Sequence, residues 1–119
     1  MRLLIGLIIL ITTVFSFEIK TNNNIVIVDI EYYENEYVTS TNYTFKEDVN
    51  LMVKFNKEFP EEIKLFEEKY FLELVKVLAT GYYIYKTDSN VIDKISEILV
   101  DDKNINTIFP AWKRKFEKR

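Results

Sequence analysis

Between Leu51 and Phe109 the apolar residues switch from alternation to helical spacing and back, twice. Short, unknotted connections leave few ways to fold such an order. Leu51, Val53 and Phe55 alternate along a strand. Phe59-Pro60-Glu61-Glu62 opens a helix, since proline suits the first helical position and two carboxylates complement the dipole of the first turn. Ile63, Phe66 and Tyr70 recur at helical spacing, with Leu65 on the flank, and carry the helix to about Phe71. Leu72 to Leu78 reads as a strand and Ala79-Thr80-Gly81 as a turn with Gly81 at positive φ. Tyr82 to Lys86 is the antiparallel return. Asp88-Ser89-Asn90 supplies capping side chains ahead of Val91, Ile92, Ile95, Ile98 and Leu99, one apolar stripe. Asp101 to Asn104 is a polar turn, and Ile105 to Phe109 is a last strand stopped by Pro110.

This order predicts an α+β, ferredoxin-like split βαβ domain over residues 49–110, a four-stranded antiparallel sheet with both helices on one face. The other face carries Met52 and is left to solvent, to the N-terminal segment or to a partner, which makes Met52 a candidate interface residue. Residues 17–48 predict an N-terminal β-hairpin-like extension. Within it, Phe17 to Asn24 is Asn-rich and reads as a loose lead-in, and Ile25 to Ile30 as a β-branched strand. Glu31 to Thr44 reads as a second strand or hairpin arm with Glu34-Asn35-Glu36 as its turn.

Met1-Arg2 followed by the apolar run Leu3 to Phe15 reads as a signal peptide over residues 1–16, cleaved after Ser16. The run is short of the roughly 20 residues of a comfortable membrane span. An uncleaved N-terminal anchor is the alternative, and through it alone would the protein meet a membrane. Both readings place the rest of the chain outside the cytoplasm, in the periplasm or the extracellular space. Cleavage leaves 103 of 119 residues, enough for one domain with a substantial core.

The composition narrows the chemistry. The chain has no His and no Cys, which excludes Ser-His-Asp and Cys-His machinery, an ordinary zinc site and disulfides. Gly81 is the one glycine outside the leader, so neither GxGxxG nor a phosphate-cradling P-loop exists. No enzyme activity, cofactor, metal or small-molecule substrate is expected. Residues 17–110 hold 10 basic and 18 acidic residues, whereas residues 111–119 form a basic C-terminal tail with five cations against Glu117. An acidic body argues against nucleic acid as a partner. Glu61-Glu62 and Glu67-Glu68 read as a solvated helix face beside Lys64 and Lys69. Asp101-Asp102 alone makes a poor calcium site, and Tyr82, Tyr83 and Tyr85 read as sheet packing. Asn42-Tyr43-Thr44 matches a glycosylation sequon.

Several blocks are similar to one family. Leu51-Met52-Val53-Lys54-Phe55 resembles the opening "hydrophobic-x-V-K-F" strand of the propeptide domains of subtilisin-like serine proteases. Phe66 to Tyr70 followed by Leu72 to Leu78 resembles that family's "F-x-x-K-Y-x-L-x-x-V-K-x-L" passage. Tyr82 to Lys86, Ile92 to Leu99 and Asn104 to Pro110 are similar to its later "Y-x-hydrophobic", "V-hydrophobic-x-x-hydrophobic" and "N-V-x-x-V-x-P" blocks. The resemblance spans about Val49 to Trp112. It implies an intramolecular chaperone and tight inhibitor whose sheet packs on two surface helices of the protease, while the segment after the last strand lies through the active-site cleft. The chain stops at Arg119 with no protease domain behind it, so the resemblance implies action in trans on a separate subtilisin-like serine protease.

On that reading Phe116, Glu117, Lys118 and Arg119 are the cleft-binding residues, with Arg119 before the scissile position and Phe116 in the apolar fourth subsite. Trp112 has two readings: it closes the core beside Pro110, or it anchors an interface. The expected function is an exported, propeptide-like inhibitor or folding chaperone of a subtilisin-like protease. The alternative is a small exported or membrane-anchored interaction module with no protease partner.

Overall fold

The computed structural model describes residues 13–114, and its first elements depart at once from the expected loose lead-in. Strand β1 (Thr13–Thr21) and strand β2 (Asn24–Tyr33) pair along their whole length. The asparagine run is the turn between them, with Asn22 at φ 49° and Asn23 at φ 68°. A two-residue turn with both central residues at positive φ matches the right-handed twist of its strands, and asparagine tolerates that backbone well. Phe17 and Ile19 are buried while Glu18 is exposed. The first part of the predicted extension is therefore an amphipathic strand.

The same turn chemistry recurs. Glu34 (φ 51°) and Asn35 (φ 70°) lead into β3 (Glu36–Thr39), and Asn42 (φ 72°) precedes β4 (Tyr43–Phe45). Thr39 is buried, and its Oγ1 accepts from the amides of Thr41 (3.2 Å) and Tyr43 (2.9 Å), which closes the β3–β4 turn. Next come β5 (Leu51–Phe55), α1 (Pro60–Lys69), β6 (Glu73–Val77) and β7 (Tyr83–Lys86). They are followed by α2 (Val91–Asp101), β8 (Ile105–Pro110) and β9 (Lys113–Arg114).

Helix α1 stops two residues before the expected Phe71. Phe71 takes φ 54°, and the chain closes with Leu72 N–H donating to Glu67 O (2.9 Å) and Phe71 N–H to Glu68 O (3.4 Å). This is the paired C-terminal capping pattern that usually calls for glycine. Helix α2 starts on Asn90, whose Oδ1 accepts from Ile92 N–H (2.8 Å) and whose Nδ2 donates to the Tyr37 hydroxyl (3.1 Å). One side chain thus caps the helix and ties it to β3.

The expected fold class is overturned. The described residues are mostly β: nine antiparallel strands in one curled half-barrel sheet with two short helices, not a four-stranded ferredoxin-like sheet. The strand order is β6-β7-β5-β8-β1-β2-β3-β4-β9. Four strands alone would leave the outer edge of β8 bare, and unpaired edges are seldom left open. Part of that edge is taken by β1, through the Lys20–Ile108 pair. The N-terminal strands therefore extend the sheet and are not a separate hairpin beside it. The curl is evident from β8 and β9, which follow closely in the chain yet hold the fourth and ninth positions of the sheet. Ala111 N–H donates to Asn50 O (2.8 Å) at this corner, and Lys113–Arg114 then pairs with Tyr43–Thr44.

The core lies on the concave side. Leu51, Val53, Tyr85, Val91, Ile95, Ile98, Ile105 and Ile108 are fully buried there. Phe66 of α1 packs edge-on to Phe55 at 5.1 Å, and α2 packs on β1 and β8. Of the expected leader, residues 1–12 lie outside the described residues, while Thr13 to Ser16 open β1. Phe15 and Ser16 are exposed, and Phe17 is buried.

The β6–β7 turn needs its glycine. Gly81 has φ +97°, its N–H donates to Leu78 O (2.9 Å), and a Cβ there would meet only Lys54 Cε at 3.5 Å. Space is available, so the backbone conformation alone resists a side chain. Gly81→Val is expected to lower stability by about 1–2 kcal/mol, read by urea unfolding. Equal midpoints for the two proteins would refute the strained-turn assignment.

Candidate functional site

The alternation of β5 sends Leu51, Val53 and Phe55 into the core and Met52 and Lys54 to the convex face. Met52 stands opposite Ile84 of β7 on one side and Phe109 of β8 on the other. Phe109 in turn meets Tyr82 edge-on, with ring centroids 5.9 Å apart, and stacks with Trp112 at 5.7 Å and 29°. Trp112 stacks on Tyr43 at 5.1 Å and 19°. Tyr82, Phe109, Trp112 and Tyr43 thus form a row of half-buried aromatic rings, with Met52 and Ile84 beside it.

A cation sits at each end of the row. Lys54 Nζ lies 5.5 Å above the Tyr82 ring. The Arg114 guanidinium lies 5.0 Å above the Tyr43 ring and donates to its hydroxyl (3.2 Å). Both helices pack against the opposite side of β5 and β8, so among the described residues neither covers Met52 or Phe109, whereas Tyr43 shares its strand face with the buried Tyr37 and Phe45. Half-exposed rings combine a large apolar area with few rotatable bonds, and flanking cations add attraction for carboxylates. Such a surface can bind a protein segment.

Two of the six residues singled out in the sequence, Met52 and Trp112, fall on this surface, with Phe109 between them. Trp112 serves the core as well, tilted on the buried Phe45 at 5.8 Å. Phe116, Glu117, Lys118 and Arg119 lie outside the described residues. The chain leading to them is tied down, because Lys113–Arg114 is β9.

The tyrosine cluster divides between the two faces. Tyr85 is fully buried on the concave side, and its hydroxyl donates to Glu67 Oε2 (2.8 Å). Burial first, and then this bond, hold its phenol far above the ordinary range. Tyr83 donates to Glu58 Oε1 (2.9 Å), and burial again leads the upward shift. Glu58 and Glu67 act as acceptors for the sheet's tyrosines. Asp101 pairs with Lys69 at 3.7 Å, and Asp102 Oδ1 accepts from Asn104 N–H (2.9 Å).

The sequence reading did not single out Phe109, Tyr82, Tyr43, Lys54 or Arg114 as site residues. Phe109 lies between buried Ile108 and Pro110, so its outward position was readable from alternation. Its neighbours were not, since they depend on which strands flank β8 and on the turn back into β9. No family model, curated protein or solved structure matches this chain.

Proposed function

We propose that the protein is an exported, non-catalytic binding module that docks a protein partner on the half-buried aromatic row. The observation that carries this reading is the row itself: four half-buried rings in contact, capped by Lys54 and Arg114, running from the outward face of β5 and β8 to the margin of the core at Tyr43. Aromatic and arginine side chains supply most of the hot spots in protein interfaces. An aromatic row at such a place supports recognition better than it supports chemistry.

A subtilisin-like protease is the partner favoured by a second feature. Arg114, the last described residue of β9, lies beside Tyr43 and hence at one end of the row. The five residues that follow reach roughly 17 Å when extended, enough to enter a cleft next to a partner seated on the row. Phe116 to Arg119 would then pair with the cleft walls as an added strand.

The test is inhibition of subtilisin-like proteases by three proteins: the intact chain, one truncated after Arg114, and Phe109→Ala. Loss of one central hot spot of about 2 kcal/mol corresponds to roughly 30-fold weaker inhibition. Truncation is expected to weaken it further while circular dichroism stays unchanged. Inhibition indifferent to both changes would eliminate the row and the cleft together. Absence of inhibition by a folded protein would remove the protease and leave the binding module.

A further inference from the structure

The outer edge of β1 carries a feature that is independent of the aromatic row. The Thr21–Asn24 pair closes the two-residue turn and sets the phase of the β1–β2 ladder. Asp29 O accepts from Ser40 N–H (3.0 Å) on the β3 side, so Asp29 points away from β1 and the Ser16–Asp29 pair is not hydrogen-bonded. Ser16 and Glu18 therefore turn their N–H and C=O groups outward, away from β2.

On that outer side β1 meets β8 only near the hairpin tip. The contacts are the Lys20–Ile108 pair, Asn23 N–H to Asn106 O (2.8 Å) and Asn22 N–H to Thr107 Oγ1 (3.1 Å). Among the described residues, no strand pairs with the outward groups of Ser16 and Glu18. These two residues line an open groove of about 570 Å³ whose other wall is α2, with Ile92, Ser96, Leu99 and Val100. Val100 is 80% exposed, an unusual position for valine on a helix that is otherwise well packed.

We propose that this groove is a strand-acceptor site for an extended peptide in which basic residues alternate with aliphatic ones. The outward amides and carbonyls of β1 need an extended backbone, which can satisfy them by strand addition. The α2 wall favours aliphatic side chains. Charge selects the remaining positions. Glu18, Asp29 and Glu31 share one face of the hairpin by their alternation and register, the same face as Ser16 at the groove. Asp93 and Glu97 are exposed on α2 beside the wall, and Glu97 lies 3.6 Å from buried Lys94. Lys20 is the cation on the same hairpin face, so acids predominate.

Cleavage after Ser16 would remove one of the two edge residues, so the test uses the full chain in mild detergent. The probe is a fluorescent seven-residue peptide alternating valine and lysine, followed by anisotropy. Two N-methylated versions carry the methyl groups on alternate amides. Methylation of the set facing β1 is expected to weaken binding at least tenfold, and methylation of the other set to leave it unchanged. Ser96→Trp fills the groove from an exposed helix position and should abolish binding. Val100→Arg, placed at the same wall, should weaken it at least tenfold. A valine–glutamate peptide should not bind. Equal effects of the two methylation patterns, undiminished binding by both groove variants with intact circular dichroism, or no binding of the valine–lysine peptide would each overturn the proposal. Phe109→Ala should leave this binding unchanged, which separates the groove from the aromatic row.

Discussion

Lys94→Met is expected to lower the unfolding free energy by about 2 kcal/mol, a fall of roughly 10 °C in melting temperature for a domain of this size. Lys94 is only 4% exposed, although it stands within the apolar stripe of α2. Its Nζ donates to Tyr70 O (2.7 Å) at the C-terminus of α1 and meets Asp88 Oδ1 at 3.1 Å and Glu97 Oε1 at 3.6 Å. One ammonium thus joins the end of one helix to the start and middle of the other. Methionine keeps the aliphatic stem but leaves the Tyr70 carbonyl without its donor. The two carboxylates are about half exposed and can return to water, so the loss stays below that of breaking a fully buried ion pair.

Acid should produce part of the same effect in the unmodified protein. The hydrogen bond from Lys94 leads in holding the Asp88 carboxyl below its ordinary value of 3.8. A depressed carboxyl stabilises the fold above about pH 4 and loses that contribution as pH falls through its folded value. Lys94→Met should therefore show a flatter stability profile on acidification. A methionine variant with an unchanged melting temperature and the parental acid profile would show that Lys94 is a bystander.

Phe45→Ala should cost more, about 3–4 kcal/mol, because a large ring leaves a cavity that its neighbours fill only partly. Phe45 is 3% exposed, at centroid distances of 6.0 Å from Phe17, 5.1 Å from Tyr37 and 5.8 Å from Trp112. It thereby holds β4 against β1 and β3 and supports the ring that turns the chain into β9. Hydrogen exchange should speed up at Lys113–Arg114 before it does so in β5 and β8, since the short β4–β9 ladder would lose its backing. A loss below 1 kcal/mol, with exchange unchanged there, would mean that the closing corner contributes little to the core. Partner binding to the aromatic row should weaken in the same variant, because Trp112 loses one of the rings that orient it.

Local physics was largely legible in the sequence. The alternation of Leu51, Val53 and Phe55, the Pro60 start of α1, the Gly81 turn, the Asn90 cap and the Glu34-Asn35 turn all rest on interactions within a few residues. Misreadings came where two local signals competed. The Asn22-Asn23 pair looked like the end of a loose segment, yet asparagine's tolerance of positive φ makes it a hairpin turn. Phe71 looked like a helix residue, but it lies beyond the helix in the left-handed region, at the position where glycine is usual.

What the sequence by itself determined is therefore a set of elements, their faces and the absence of histidine and cysteine. Only the tertiary structure decided that β1 takes part of the free edge of β8, that the sheet curls until β9 pairs with β4, and that Lys94 is buried between two helices. The reason is the range of the forces involved. Turn chemistry and side-chain periodicity act between neighbours, whereas any strand with an apolar face and open hydrogen-bonding groups can pair with several others. The choice among them is made by how the whole sheet twists and closes around α2. The aromatic row and the β1 groove both arise from that choice, since one crosses strands that are distant in the chain and the other lies where β1 and β8 diverge.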